Sequence, residues 1–261
     1  MIAVITGSGS ELWTRLAGPT PRQVQTRYGS VDLTVGRVRG VEVVHLSRHG
    51  PAHTRLSNHV THLANLAALK QVGVSGIVSL TVCGAVDPAL PLGGLVAFDD
   101  LYFPSNRLPD GSLCTMHDTP GAAGRGHWIF DTPLSEPLRT QLVHAATTLG
   151  TPVIDGGCYG YVDGPRFNSR TEIAALRRVG VTAISQTAGP EIVLAGEAEI
   201  PIAVLGYVTD HANGVREPPQ PLTQLAELMA ASTDTFAAVL EVALPQLADL
   251  TPAGVVYRFL P

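Results

Sequence analysis

Four stretches of this chain end an apolar run in side chains that bind anions. The first five residues run into Thr6-Gly7-Ser8-Gly9-Ser10-Glu11-Leu12. The run at 41–46 ends in Ser47-Arg48-His49-Gly50, the run at 77–80 in Thr81-Val82-Cys83-Gly84, and the run at 182–184 in Ser185-Gln186-Thr187-Ala188-Gly189. A guanidinium, an imidazole, three hydroxyls and a glycine-rich turn are parts from which a phosphate site is built, with arginine as the bidentate partner. The opening loop alone leaves two readings: a tight turn that uses glycine for positive φ, or a nest of backbone N–H groups and Ser8 around an anion. A dinucleotide fingerprint lacks its third glycine, since Leu12 stands there, and a Walker loop lacks its Gly-Lys-Ser/Thr.

These parts act together only if the fold sets the run ends side by side. Strands are expected at 2–6, 41–47, 76–82, 95–98, 182–185 and 202–208, each a Val- and Ile-rich segment of the kind covered on both faces. Helices are expected at 58–72, 136–149, 171–179, 191–198 and 223–247, with loops at 104–125 and 214–221. Leu63, Leu66, Leu69 and Val72 share one face of the first helix, and Ser135 with Pro137 marks the start of the second. The alternation predicts an α/β fold, and ligands of open α/β sheets sit beyond the carboxyl ends of strands.

The 261 residues, taken as one domain over 1–261, are 45% hydrophobic and 15% charged, which excludes a disordered chain. A net charge of -5 argues against a general nucleic-acid binder. Cys83, Cys114 and Cys158 have no metal-ligand spacing, and their odd number argues against a disulfide framework. No basic leader precedes the first strand, and the apolar stretches read as too short to span a bilayer. A reduced, cytoplasmic protein is expected.

The stretches "ITGSGS", "LSRHGPAHT", "TVCGAV", "DGPRFNSRTE", "SQTAGPEIVLAGE" and "YVTDHANG" occur in this order along nearly the whole chain. In this the chain resembles the methylthioadenosine phosphorylase branch of the purine nucleoside phosphorylases. The resemblance implies a central mixed, twisted sheet flanked by helices, and phosphate as the nucleophile that splits an N-glycosidic bond. It implies phosphate contacts from Ser8, Arg48, His49, Thr81, the amide of Val82, and Thr187. It places Asp210 at N7 of a purine as the group that assists departure of the base, and Phe167 as the ring that stacks on it. It implies no metal and no cofactor beyond inorganic phosphate as co-substrate. It also implies a homotrimer whose pocket is shared across subunits, with no nucleic acid or membrane as partner.

Several positions depart from the family pattern. Ala212 stands where a second aspartate would read an adenine amine, and Asn168 replaces a serine. Asn168 or Asn213 could then read an amino or an oxo group, which leaves adenine, a 6-oxopurine or a pyrimidine open. Gln186 replaces a methionine against the ribose. At the 5′ end Asp131 occupies the place of a histidine from the neighbouring subunit, and Thr223 and Ala226 replace two valines. A carboxylate beside a methylthio group would be desolvated without compensation, so a polar 5′ substituent such as an amino group is expected, unless Asp131 only caps a turn. A water-using nucleosidase and a catalytically inactive nucleoside-binding protein stand as alternatives.

Overall fold

The structure, a computed structural model, describes residues 1–8, 15–248 and 250–259. The expected loop beyond Ser8, with Leu12 at the third-glycine position, lies outside the described residues. In chain order the elements are β1 (Ile2–Thr6), β2 (Ala17–Thr26), β3 (Gly29–Val38), β4 (Val41–Ser47), α1 (His62–Gln71), β5 (Gly76–Ala85), β6 (Leu95–Ala97), β7 (Asp100–Tyr102), β8 (Gly126–Ile129), α2 (Glu136–Thr148), β9 (Val153–Asp155), β10 (Cys158–Tyr161), α3 (Arg170–Arg178), β11 (Val181–Ser185), α4 (Ala188–Glu197), β12 (Ile202–His211), α5 (Leu222–Ala243) and β13 (Val255–Arg258).

Eleven strands form one mixed sheet with β5 at its centre. β5 runs parallel to β1 and to β12, and its last residues pair antiparallel with β11. The sheet continues from β1 to β4, β3 and β2, from β11 to β10 and β7, and from β12 to β6 and β9. β8 and β13 form a separate antiparallel ribbon.

Side-chain parity along the strands divides the core in two. Ala3, Ile5, Val44 and Leu46 pack with Leu66 and Leu69 of α1 and with Ile192 and Leu194 of α4. Val4, Val43, Val78 and Leu80 pack with Leu138 and Leu142 of α2 and with Phe236 and Leu240 of α5. Both faces of the central strands are thus covered, which is why they read as unbroken apolar runs.

The structure changes some boundaries. The β2–β3 hairpin is absent from the sequence expectation because it buries only alternate residues such as Val24, Val31 and Leu33 among glycine, proline and polar groups. α4 begins at Ala188 rather than 191, since Pro190 falls in its first turn, where a missing N–H costs nothing. α1 begins at His62, after a separate 3-10 turn at Ser57–His59. The expectation that no apolar stretch could span a bilayer is corrected: Leu222–Gln246 has the length and composition to do so. Here its C-terminal half buries Phe236, Ala237, Val239, Leu240 and Ala243, so it packs as a core helix.

Candidate active site

Strand register brings the four anion-binding run ends together. Thr6 lies opposite Ser47 and Ile5 opposite Ser79, which sets Gly7 and Ser8 beside Arg48 and His49 and next to Leu80 and Thr81. The antiparallel end of β5 against β11 brings in the segment at 185–187. A cavity of about 290 Å³ opens at this edge. Ser8, Arg48, His49, Thr81, Val82, Phe167, Asn168, Gln186, Thr187, Asp210 and Asn213 all line it. Asp131, Thr223 and Ala226 do not.

Arg48 is only 1% exposed, and the reason is on its far side. Nε donates to Glu191 Oε1 at 2.7 Å, and Nη2 donates to Glu191 Oε2 at 2.9 Å and to Ser79 Oγ at 2.8 Å. Nη1 donates to the Leu80 carbonyl at 2.7 Å. The bidentate fork expected to clamp phosphate therefore holds Glu191, which corrects that reading. Four of five guanidinium protons are committed, and one on Nη1 is left for the cavity. Burial pushes the Glu191 carboxyl up, but the charge and hydrogen bonds of Arg48, with His62 and the Ser79 hydroxyl, together outweigh it and leave the carboxyl below the usual carboxylate range. A Cβ on Gly7 would lie 2.5 Å from Arg48 Nη1, so only glycine leaves that nitrogen accessible from the first loop.

His49 has its Nδ1 2.8 Å from the Arg55 carbonyl oxygen. Its ring stacks on His53, with centroids 4.1 Å apart. The turn carrying His53 is left-handed at Gly50, Ala52 and His53, with φ of 73°, 51° and 56°. Such conformations cost energy in non-glycine residues and gather at functional sites. The Thr81 hydroxyl shares a 2.8 Å hydrogen bond with Ser185 Oγ. Thr187 is the N-cap of α4, yet its side chain caps nothing and is left to the cavity. The first amides of that helix donate instead to Tyr159 Oη, at 3.4 Å from Thr187 and 3.0 Å from Ala188.

At the other end of the cavity, the β12–β5 register shifts between Val208 and Asp210. Such a bulge re-aims the side chain that follows. Asp210 Oδ1 accepts from Thr209 Oγ1 at 2.9 Å. Its Oδ2 lies against Gly84, where a Cβ would come within 3.1 Å. Burial raises the Asp210 pKa, partly offset by the Thr209 hydroxyl and by His211. Asn213 Nδ2 donates to the Asn168 carbonyl at 2.7 Å and ties the two loops. Asn168 Oδ1 is buried with no hydrogen-bond partner. Phe167 is 63% exposed, a large aromatic ring at the cavity wall.

Between these ends, Gln186 is held at both poles of its amide. It accepts from Ser57 Oγ at 2.8 Å and donates to the Arg166 carbonyl at 3.0 Å. Leu56, Leu225 and Met229 add an apolar wall. Leu225 and Met229 are the i, i+4 pair that α5 turns inward, whereas Thr223 and Ala226 are exposed. Thr223 and Ala226, expected at a 5′ pocket, thus do not line the cavity of their own chain. Asp131 is exposed in the segment between β8 and α2, outside the cavity of its own chain.

Sequence reasoning missed Glu191, Ser79, Ser57, Thr209, Leu225 and Met229. Only Glu191 left a signal: a carboxylate inside the apolar run of "GPEIVLA" needs a buried cation. The described residues contain no group of three or more His, Cys, Asp or Glu that could hold a metal ion.

Comparison with known proteins identifies the family. A probable 6-oxopurine nucleoside phosphorylase of Thermococcus kodakarensis is 34% identical over 233 residues, covering 88% of this chain and 86% of the relative. A probable S-methyl-5′-thioinosine phosphorylase of Xylella fastidiosa is 34% identical over 215 residues, covering 82% of this chain and 89% of the relative. The crystal structure of methylthioadenosine phosphorylase from Schistosoma mansoni in complex with adenine superposes with a TM-score of 0.85 at 25% identity, covering 94% of this chain and 90% of that one. The profile of the phosphorylase superfamily matches residues 1–244. The chain belongs to the phosphorylase superfamily.

Proposed function

We propose that the protein is a nucleoside phosphorylase, a pentosyltransferase that cleaves a purine nucleoside with phosphate to give free base and pentose 1-phosphate. The observation that carries this reading is the shared cavity, with Arg48 Nη1, His49 and Thr81 at one end and the half-buried Asp210 carboxyl at the other. Phosphate held at the first end is positioned under C1′, which turns a bimolecular attack into a directed one. Arg48 is neutralised by Glu191, so the site leaves most of the anion's charge free to stabilise an oxocarbenium-like sugar. As the C1′–N bond breaks and the O–C1′ bond forms, negative charge moves to the base. Asp210, kept protonated more readily by burial, supplies a hydrogen bond or proton to N7.

The base end supports a 6-oxopurine. The orphan acceptor of Asn168 and its amide N–H can serve the N1–H and O6 of such a base, though an adenine edge fits the same amide, so the preference rests on Ala212. Ala212 supplies no carboxylate for an adenine amine, and the relatives from Thermococcus and Xylella carry 6-oxopurine and thioinosine names. The apolar pair Leu225 and Met229 supports an apolar 5′ substituent. A 5′-amino group would need Asp131 from another subunit, since α5 offers no polar side chain there. The further reading is of a homotrimer with a shared pocket, acting in the cytoplasm with no cofactor beyond phosphate as co-substrate.

The test is base release with and without phosphate from nucleosides that cross hypoxanthine, adenine and uracil with methylthio, hydroxyl and amino groups at C5′. Phosphate-dependent release, fastest with hypoxanthine and methylthio, is the expected result. Preference for adenine overturns the base assignment, and preference for the amino group overturns the assignment of the 5′ wall.

A further inference from the structure

Helix α3 carries two unlike stripes. Ile173 and Leu176 turn into a small core with Val86, Val181 and Ala212. Beside them Arg170, Ala174, Arg177 and Arg178 stand at i, i+4, i+7 and i+8 and share one side of the helix. The turn Asn213-Gly214-Val215 faces this side, and a second cavity of about 340 Å³ lies between the two. Three of its eight lining residues are arginines and none is acidic. The chain as a whole has a net charge of -5 and only 17 lysines and arginines, so this is a local concentration of positive charge. Gly214 has φ of 83°, and a Cβ there would lie 3.0 Å from Arg170 Cγ, so glycine lets the turn close on the arginine stem.

Helix-end electrostatics account for part of this cluster. Arg177 and Arg178 stand in the last turn of α3, where a cation is favoured. Arg170 is the first residue of the helix, where a cation is disfavoured, and Glu217 offsets it at 3.0 Å. Arg177 and Arg178 have no ion-pair partner among the described residues. Ala174 is too short to fill the space between the arginines. Two open guanidinium forks at one end and a third roughly 11 Å along the helix axis suit an anion whose charge is spread over adjacent centres. We propose that this cavity is a second anion site, for a ligand that carries a diphosphate group. Free pyrophosphate and a nucleoside diphosphate share that chemistry. Ile173 and Asn213 line both cavities, and Asn213 Nδ2 holds the Asn168 carbonyl at 2.7 Å. An anion braced against Asn213 therefore steadies the loop at the base end of the first cavity and tightens nucleoside binding there. The site stands on its own geometry; only this coupling rests on the phosphorylase reading.

The test titrates pyrophosphate, ADP and adenosine into the full chain by calorimetry, with excess phosphate present to fill the first cavity. Saturable binding of both anions and none of adenosine is the expected result. ADP binding at least as tightly as pyrophosphate assigns a nucleotide, and weaker ADP binding assigns the free anion. R177Q/R178Q should weaken both anions by about tenfold or more, because charge-assisted hydrogen bonds are lost, and should leave phosphate-dependent base release unchanged. Absence of binding by either anion, or affinity in the double variant within about threefold of wild type, overturns the proposal. Should the variant fail to fold, phenylglyoxal labelling of the wild type, read by peptide mass, decides. Saturating pyrophosphate should slow modification of Arg177 and Arg178 by about fivefold, and equal rates overturn the site. In turnover at saturating phosphate, pyrophosphate should lower the nucleoside KM by about threefold in the wild type and not in the double variant. An unchanged KM with the anion bound overturns the coupling and leaves the site. A chain that binds the anion yet releases no base with phosphate overturns the phosphorylase reading alone.

Discussion

Asp210 concentrates the chemistry of the base end in one carboxyl. It is half-buried beside Gly84, hydrogen-bonded by Thr209, and shifted toward its neutral form. Asp210→Asn keeps the shape but cannot transfer a proton. Phosphorolysis is expected to fall by about 10²–10⁴-fold in kcat, measured by steady-state base release. Stability should move the other way. The folded-state pKa lies above the ordinary 3.8, so the folded form binds the extra proton and the wild type loses stability as pH rises through that raised value. The variant should therefore melt higher than wild type well above the raised pKa, and the difference should vanish below the ordinary carboxylate range. A wild type that melts higher at every pH contradicts the assignment. Arg48, His49, Thr81 and Thr187 were legible as candidates because they stand at strand ends, where an α/β sheet binds ligands, whereas Asp210 was named only through the family resemblance. What they touch was not legible. The fork of Arg48 points inward to Glu191, and two residues 143 positions apart meet only through tertiary packing.

At the scale of elements, α4 does two jobs. It delivers Glu191 to the back of Arg48, and it packs its glycines against aromatic rings. Glu191→Gln leaves a fully buried guanidinium without a countercharge, and chemical denaturation should show a loss of about 3–5 kcal/mol. A loss under about 1 kcal/mol would mean that Ser79 and Leu80 suffice to hold Arg48. Gly196 lies against the indole of Trp128, whose Nε1 donates to the Ala253 carbonyl at 2.8 Å. Gly196→Ala would push the β8–β13 ribbon away from α4, at an expected cost of about 1–3 kcal/mol in the same experiment. Strands covered on both faces were legible as continuous apolar runs, and α2, α3 and α5 fell close to their expected bounds. The β2–β3 hairpin and the short strands β7, β8, β9, β10 and β13 were not, because one-sided or brief burial leaves little periodicity in sequence. Which face of α5 meets the cavity was not legible for a related reason. At a helix start, Thr223, Leu225, Ala226 and Met229 lie within two turns, and only packing decides which of them turn inward.

The whole molecule carries an apolar surface beside Asp131. Ile129, Val255 and Tyr257 on the β8–β13 ribbon and Phe259 just after it are 55%, 63%, 60% and 48% exposed. The proposed trimer would cover such a surface. Specific activity should then fall on dilution, together with the sedimentation coefficient. Activity per chain that is independent of concentration in a monomeric sample contradicts the shared pocket.

The central claim is that inorganic phosphate is the nucleophile. It is tested most directly by incubating the enzyme with inosine and with methylthioinosine, with phosphate present or removed, and identifying the sugar product. Hypoxanthine released only when phosphate is present, with one pentose 1-phosphate formed per base, is the predicted result. Release at the same rate without phosphate, with free pentose as the product, would contradict it.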